Sequence, residues 1–320
     1  MNILVTGGAG FIGHNVVRML EEQGHQCFIV DNTTNYGFVP LDEIEYLFKE
    51  RCKKFRAVVH RVDIRDPKAL NNMFITFHPD LVIHLASFPR QKVVSGNPAW
   101  GSEVMSTGLI NLLEASKINH VKKFVYISSS MVYGDFTDDV KEDAICNPQG
   151  QYGIMKLMGE HLVKDYHRRG CFDYTIIRPS AVYGELDVED RVVSKFMLAA
   201  MRDQTLKVNG AGETLDFTYV EDAARGITQA ALSADANNKT YNITKSHSYS
   251  LLDAANLAVK IAGRGRIEVR DKDADFPSRG ALNIDAARRD FRFDPKVDVE
   301  EGFQRYYNWF KNDPFWQNKL

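Results

Sequence analysis

The chain has 320 residues, enough for about two domains with a substantial core. Its 44% apolar and 26% charged residues are ordinary for a soluble globular protein, and a net charge of −2 offers no field to draw in nucleic acid or an anionic membrane. Cys27, Cys52, Cys146 and Cys171 stand far apart with no CxxC or Cys/His cluster, which argues against a disulfide framework or a metal site and for a reducing, cytoplasmic setting.

In chain order, NILV (residues 2–5) reads as a buried strand that runs into the glycine-rich turn TGGAGFIG. HNVVRMLEEQG has helical spacing ending at Gly24, and QCFIVDN is a second buried strand, so the first thirty residues make a βαβ unit. The alternation continues with the strand AVVHRVDI, the helix KALNNMFITF, the strand DLVIHLAS, the helix LINLLEASKI and the strand KKFVYISSS. Next come the helix QYGIMKLMGEHLVKDYHRR and the strand DYTIIRPS. Such a rhythm predicts a doubly wound parallel α/β sheet of the Rossmann kind over residues 1–180. Beyond residue 180 the elements become shorter: VSKFMLAAMRDQ is helical, LKVNGAGETLDFTYV reads as short strands around glycine turns, and EDAARGITQAAL is helical. Residues 181–320 are therefore expected to form mainly a smaller second domain, interleaved with the first. The basic runs RCKKFR (51–56) and RRDFRF (288–293) read as solvated faces, since no aromatic platform accompanies them. No stretch approaches the ~18 apolar residues of a membrane span, and no basic segment precedes an apolar run at the N-terminus.

Three glycines in TGGAGFIG, Gly7, Gly10 and Gly13, lie three apart between strand and helix. One makes the tight turn, one lets the backbone approach a pyrophosphate, and the last lets helix and sheet pack closely, while the helix N-terminus offers unpaired N–H groups to the anion. Asp31 ends the following strand, eighteen residues after Gly13, where a carboxylate can accept from ribose hydroxyls and would repel a 2′-phosphate. No Arg or Lys in DNTTNYG welcomes such a phosphate, so NAD is favoured over NADP. Asp63, ending the third strand, is placed either to reach an adenine amino group or to cap a turn.

Tyr152 and Lys156 in QYGIMK lie four apart, hence one turn apart on one face of a helix. Ser129, 23 residues earlier, stands at the end of KKFVYISSS, and in such sheets ligands bind beyond the carboxyl ends of strands. Removing hydride from an alcohol also requires removing its proton. A phenol with a pKa of ~10 becomes a base near neutrality only if nearby positive charge favours phenolate. Lys156 and a nicotinamide ring could supply that charge, Ser129 could hold the reacting oxygen, and Lys156 could also donate to the nicotinamide ribose.

Taken together, TGGAGFIG, Asp31, VDI, HLAS, ISSSMVYG, YGIMK and DFTYVED resemble the extended short-chain dehydrogenase/reductase family, whose members act largely on nucleotide-activated sugars. The resemblance covers nearly the whole chain. It implies tightly held NAD, a Ser129–Tyr152–Lys156 triad, and cofactor contacts at Gly7, Gly10, Phe11, Ile12, Gly13, Asp31, Asn32, Asp63, Ile64, Leu85, Ala86, Ser87, Tyr152 and Lys156. On the substrate side it implies Ser129, Ser130 and the late diphosphate-binding Arg279, with Arg90 and Lys195 as supplementary cations. Dehydratases of the family carry Asp and Glu where this chain has Ser130 and Met131, neither of which is an acid or base at neutral pH. The family's decarboxylases usually carry a Glu in the same stretch. The SSS-x-VYG pattern is most similar to that of the UDP-glucose and UDP-glucuronate 4-epimerases. Leu215, Ala181 and Met105 replace residues common in relatives: an Arg, a substrate-contacting Asn and an Asn.

The expectation is therefore an NAD-dependent 4-epimerase of a UDP-hexose, with no metal, nucleic acid or membrane partner. The resemblance also implies a homodimer through the LINLLEASKI and QYGIMKLMGEHLVKDY helices. Two rivals stay open on the residues alone: a nucleotide-sugar 4-dehydrogenase or ketoreductase, and a catalytically silent NAD-binding regulator.

Overall fold

The computed structural model describes residues 1–320 except Tyr36, Phe38 and Pro89. Six strands fall where the apolar runs place them: β1 (Asn2–Thr6), β2 (Gln26–Val30), β3 (Val59–His60), β4 (Leu81–His84), β5 (Lys123–Ile127) and β6 (Asp173–Pro179). All pair in parallel, and Lys239–Ile243 adds a seventh strand beyond β6, giving the order Lys239–Ile243, β6, β5, β4, β1, β2, β3. Strand order reverses between β1 and β4, so the two connections leave in opposite directions and open a crevice at the strands' carboxyl ends.

Burial on both faces explains why these strands are nearly continuous apolar runs rather than alternating ones. Leu4, Val82 and Phe124 point into a core built with Leu70, Phe74, Leu109, Leu112 and Val163. Their neighbours Ile3, Val5, Ile83 and Val125 face the opposite core, built with Val16, Val17, Leu20, Ile227 and Ala230. The long run expected at 57–64 is reduced to the two-residue β3. It is an edge strand, and the chain turns away where Asp63 Oδ1 accepts from the backbone N–H and the Nε of Arg65 at 2.9 and 3.0 Å. The helix that follows, Pro67–Phe77, is capped by Asp66 instead, whose carboxylate accepts from the N–H groups of Lys68 and Ala69.

A third core gathers residues of the C-terminal half, including Tyr183, Phe196, Met197, Phe217, Phe303, Tyr306, Phe310 and Trp316. Three two-stranded ladders accompany it: Val182–Tyr183 with Thr218–Tyr219, Thr205–Asn209 with Arg266–Arg270, and Thr214–Asp216 with Ser248–Ser250. The helix Val220–Leu232 and the seventh strand return the chain to the main sheet, with Ile227 and Ile243 both in its core.

Candidate functional site

A cleft of about 340 Å³ runs along the carboxyl ends of the central strands, in the range of small-molecule sites. All fourteen residues expected to touch the cofactor line it, from Gly7 to Lys156. Gly7 adopts φ +71°, a left-handed turn open to glycine, and a Cβ there would come within 2.6 Å of the Ala86 backbone nitrogen. A Cβ on Gly13 would overlap the Gly7 carbonyl, so strand, turn and helix pack closer than any larger residue permits. The helix Gly13–Glu22 has no side-chain cap and no acid in its first turn, so no side chain competes with an anion at its N-terminus. These features fit the pyrophosphate of a dinucleotide. Gly13→Ala is expected to weaken NAD binding about 10-fold or more, equivalent to ~1.4 kcal/mol, with the secondary structure unchanged by circular dichroism. Calorimetric titration with NAD checks it.

Asp31 stands at the end of β2, its carboxylate accepting from Ala9 N at 3.2 Å and Thr33 N at 2.8 Å. Burial raises its pKa, and the two backbone bonds pull it back. Asp63 lines the same end of the cleft but is tied to Arg65 at 2.8 Å and to Asn32 at 3.1 Å. The Arg65 hydrogen bond is the main cause holding its carboxyl down at about 2.

The Tyr–Lys face forms as the spacing predicts. Gly150, at φ +80°, turns the chain into the helix Gln151–Arg168, whose second residue donates its N–H to buried Gln91 at 3.2 Å. Tyr152 and Lys156 both line the cleft, with the Lys156 nitrogen 5.8 Å from the centre of the Tyr152 ring. Lys156 Nζ donates to the Ile127 carbonyl at the end of β5, 2.8 Å away. Ser129, two residues further along, is near enough to the Tyr152 phenol to favour its ionised form, and it accepts from Met131 N at 3.2 Å. The chain thus brings Ser129, Tyr152 and Lys156 together at one strand end.

Burial dominates the phenol's own environment and raises its pKa, against which Arg191 and then Ser129 act in the lowering direction. Burial also pulls Lys156 down to about 7, with Glu160 the opposing charge. The linkage sign follows. Between about 7 and the ordinary 10.5, an unfolded chain holds a lysine proton that the folded chain has released, so this group's contribution to stability increases with pH. The stability of the native chain relative to Lys156→Met is accordingly expected to increase between about pH 7 and about pH 9 in urea unfolding, and a constant difference would contradict it.

Behind Lys156 lies a closed polar network. Glu160, fully buried, accepts from Ser128 at 2.6 Å and from Arg178 through both carboxylate oxygens at 2.9 and 2.7 Å. Arg178 also donates to the Tyr133 hydroxyl at 2.8 Å and the Glu142 carbonyl at 3.0 Å. Tyr152, Lys156 and Glu160 therefore occupy three successive turns of one helix face, each with a partner on the sheet side.

The expected substrate residues are less unified. Ser130 donates to Ser180 at 3.2 Å and Met131 is buried, so neither offers an acid or base. Arg90 lines the cleft, paired with Asp190 at 2.6 Å; Lys195, more than half exposed, also pairs with Asp190 and does not line the cleft. Arg279 does not line it either. Its Nε is buried without a hydrogen-bond partner among the described residues, and burial lowers its pKa to about 10. Ala181 adopts φ +36°, a left-handed backbone that Asn tolerates better than Ala.

The structure adds residues that the sequence argument passed over: Thr33, Thr34, Asn35, Ser128, Pro179, Asp187, Val188 and Arg191 all line the cleft. Ser128 and Pro179 were readable as ends of strands β5 and β6. One expectation is corrected. Arg51 opens the basic run 51–56 taken as a solvated face, yet it is buried in the cleft wall and donates to the Leu186 carbonyl at 3.1 and 2.6 Å.

A Rossmann sheet with a glycine turn, a ribose-side acid and a Ser–Tyr–Lys cluster at one strand end defines a nucleotide-dependent oxidoreductase-type fold. The chain belongs to the NAD dependent epimerase/dehydratase family, whose model matches residues 3–244. It is 30% identical to the UDP-glucuronate 4-epimerase of Thermodesulfobacterium geofontis, over 97% of this chain and 96% of that one. The Bacillus cereus UDP-glucuronic acid 4-epimerase, solved with UDP-glucuronic acid and NAD, superposes with a TM-score of 0.88 at 27% identity, over 97% and 99% of the two chains. The UDP-glucose 4-epimerase of Thermotoga maritima, solved with UDP-glucose, gives 0.86 at 27% identity with the same coverage.

Proposed function

We propose that this protein is an NAD-dependent epimerase that inverts C4 of a UDP-hexose through a transient 4-keto sugar. The observation that carries the proposal is the convergence of Tyr152 and Lys156 on the cleft that also holds the glycine turn and Asp31, with Ser129 near enough to act on the Tyr152 phenol. In this reading Gly7–Gly13 and the following helix hold the pyrophosphate, Asp31 the adenosine ribose, and Leu85, Ala86 and Ser87 the middle of the cofactor. Bound NAD supplies the hydride acceptor and, later, the donor. Tyr152 removes the proton from the C4 hydroxyl and returns it after the ketone has turned over. Ser129 orients that oxygen by hydrogen bonding, and Lys156 holds positive charge below the phenol. Ser130 and Met131 supply no acid–base pair for removing water, which favours epimerisation over dehydration. Residues 181–320 act mainly as the substrate domain, with Arg279 facing a diphosphate as the resemblance implies.

The test is incubation with a panel of UDP-, dTDP-, GDP- and CDP-hexoses and UDP-uronic acids without added cofactor, read at 340 nm and by NMR of the products. The proposal expects an isomerised sugar and no net NADH. Stoichiometric NADH with a keto sugar, and turnover only on added NAD, would instead make the protein a dehydrogenase.

The same proposal places the enzyme in the cytoplasm as a homodimer built on the helices Leu109–Ile118 and Gln151–Arg168. Exposed Ile110, Ile118 and Ile154 on these helices, which pack against each other, support it. Ile110→Glu combined with Ile154→Glu is expected to shift the mass in solution from two chains to one, measured by light scattering.

A further inference from the structure

Arg90, Gln91 and Lys92 are consecutive, and their side chains reach three separate parts of the molecule. Arg90 pairs with Asp190 at 2.6 Å, in the segment after Val182–Tyr183. Lys92 pairs with Asp273 at 2.6 Å, in the segment after Arg266–Arg270. Gln91, buried between them, opens the short helix Gln91–Gly96 and meets the start of the helix Gln151–Arg168. Val93 and Val94 anchor the short helix in the first core, which gives its first turn a fixed place.

The helix that carries Tyr152 has no cap of its own. Its cap residue is Gly150, which has no side chain to accept a bond, and its first turn holds no acid. A helix end of this kind leaves backbone N–H groups that need an acceptor from elsewhere. Gln91 Oε1 accepts from the Tyr152 N–H at 3.2 Å, across 61 residues of chain. The other end of the amide is committed as well, since Nε2 donates to Ser95 Oγ at 3.3 Å, one turn along its own helix. That second bond sets which end of the amide faces Tyr152. Gly150 is the matching half of the contact. A Cβ there would lie 1.9 Å from Gln91 Nε2, so at φ +80° glycine both makes the turn and admits the amide.

The bond is made at the backbone of the very residue whose phenol exchanges the proton. The phenol oxygen lies on the axis of the second side-chain torsion, so once the Tyr152 Cα is fixed only the first torsion moves it. Proton transfer needs that oxygen within about 3.2 Å of its partner, and a misplacement of about 1 Å costs about 100-fold.

We infer that Gln91 is a positioning residue for the reaction: through the Tyr152 backbone N–H it holds the phenol at the reacting oxygen of the sugar. The inference rests on the reading of Tyr152 as the base. Arg90 and Lys92 tie the same turn to the second half of the chain, so the place of Tyr152 is set from both halves at once.

The test measures kcat and KM on UDP-glucose or UDP-glucuronate, whichever the native enzyme turns over, with NAD content per chain and urea unfolding. The variants are Gln91→Met, which fills the space without an acceptor, and Gln91→Glu, which keeps an acceptor oxygen at the same reach. The positive end of the helix accommodates the glutamate charge. Gln91→Met is expected to lower kcat about 10-fold or more, with KM and NAD content within about twofold of native. Gln91→Glu should recover most of that kcat. Should Gln91→Met fail to fold, Gln91→Asn, whose amide stops one carbon short of the N–H, carries the same comparison. A kcat within about threefold of native once the acceptor is removed overturns the inference. So does a change carried by KM or by lost NAD, or a Gln91→Glu variant as slow as Gln91→Met, because a loosened helix and not a misplaced phenol is then responsible. Native turnover left intact by Tyr152→Phe would instead sink the reading of the base, and the inference with it.

Discussion

Tyr152→Phe is expected to lower kcat by about a thousandfold while NAD content and the unfolding midpoint stay at native values. The substitution removes one oxygen and leaves the ring, which packs against the core beneath the sheet. What disappears is the phenol that Arg191 and Ser129 together favour as phenolate. Among the described residues at that strand end, Ser130 is bonded to Ser180 and Lys156 is held on the Ile127 carbonyl, so neither stands in for the phenol. Lys156 lies one turn from Tyr152 and cannot take its place without breaking that bond. Initial rates with an accepted sugar nucleotide, alongside cofactor content, make the measurement. Residual activity within about tenfold of native would remove Tyr152 from the mechanism. Abolished turnover with intact cofactor binding would also dispose of a silent NAD-binding regulator.

The second large effect is on stability. Glu160→Gln keeps the side-chain shape but leaves Arg178, 3% exposed, without its ion-pair partner, and breaking such a pair costs about 3–5 kcal/mol. Removing both charges together, as Glu160→Gln with Arg178→Met, is expected to recover much of that loss, because no buried charge is then left alone. Urea unfolding of the two variants and the native chain gives the comparison. The single variant should also carry a more depressed Lys156 pKa, since Glu160 is the charge that opposes burial there. A loss below about 1 kcal/mol for the single variant would mean that water reaches the pair and that the network does not hold the lysine.

Most of the fold was legible because a parallel sheet covered on both faces writes itself as apolar runs, and Ile3, Leu4 and Val5 alternate between two cores. The cofactor side of the cleft was legible for a related reason. Gly7, Gly13 and Asp31 act through backbone geometry and local spacing, which are sequence properties. The edge strand β3 was over-read, since its apolar residues continue past the point where Asp63 and Arg65 turn the chain. The wall opposite was invisible. Arg51 meets Leu186 across 135 residues, and Glu43 meets Glu189 across 146, and neither pairing leaves a periodic trace. Arg191 belongs to no motif, and only the folded chain sets it in the cleft with Tyr152. Arg279 and Lys195 could be named only by resemblance, and neither shares the cleft that Arg90 lines.

The most direct test of the central claim is to supply an accepted UDP-sugar deuterated at C4 and to follow the label by NMR and mass spectrometry as the product forms. Epimerisation within one NAD-loaded active site predicts that the inverted product keeps deuterium at C4, with no NADH appearing in solution. Label lost to a free cofactor pool, or accumulation of the 4-keto sugar in place of an inverted alcohol, would contradict it.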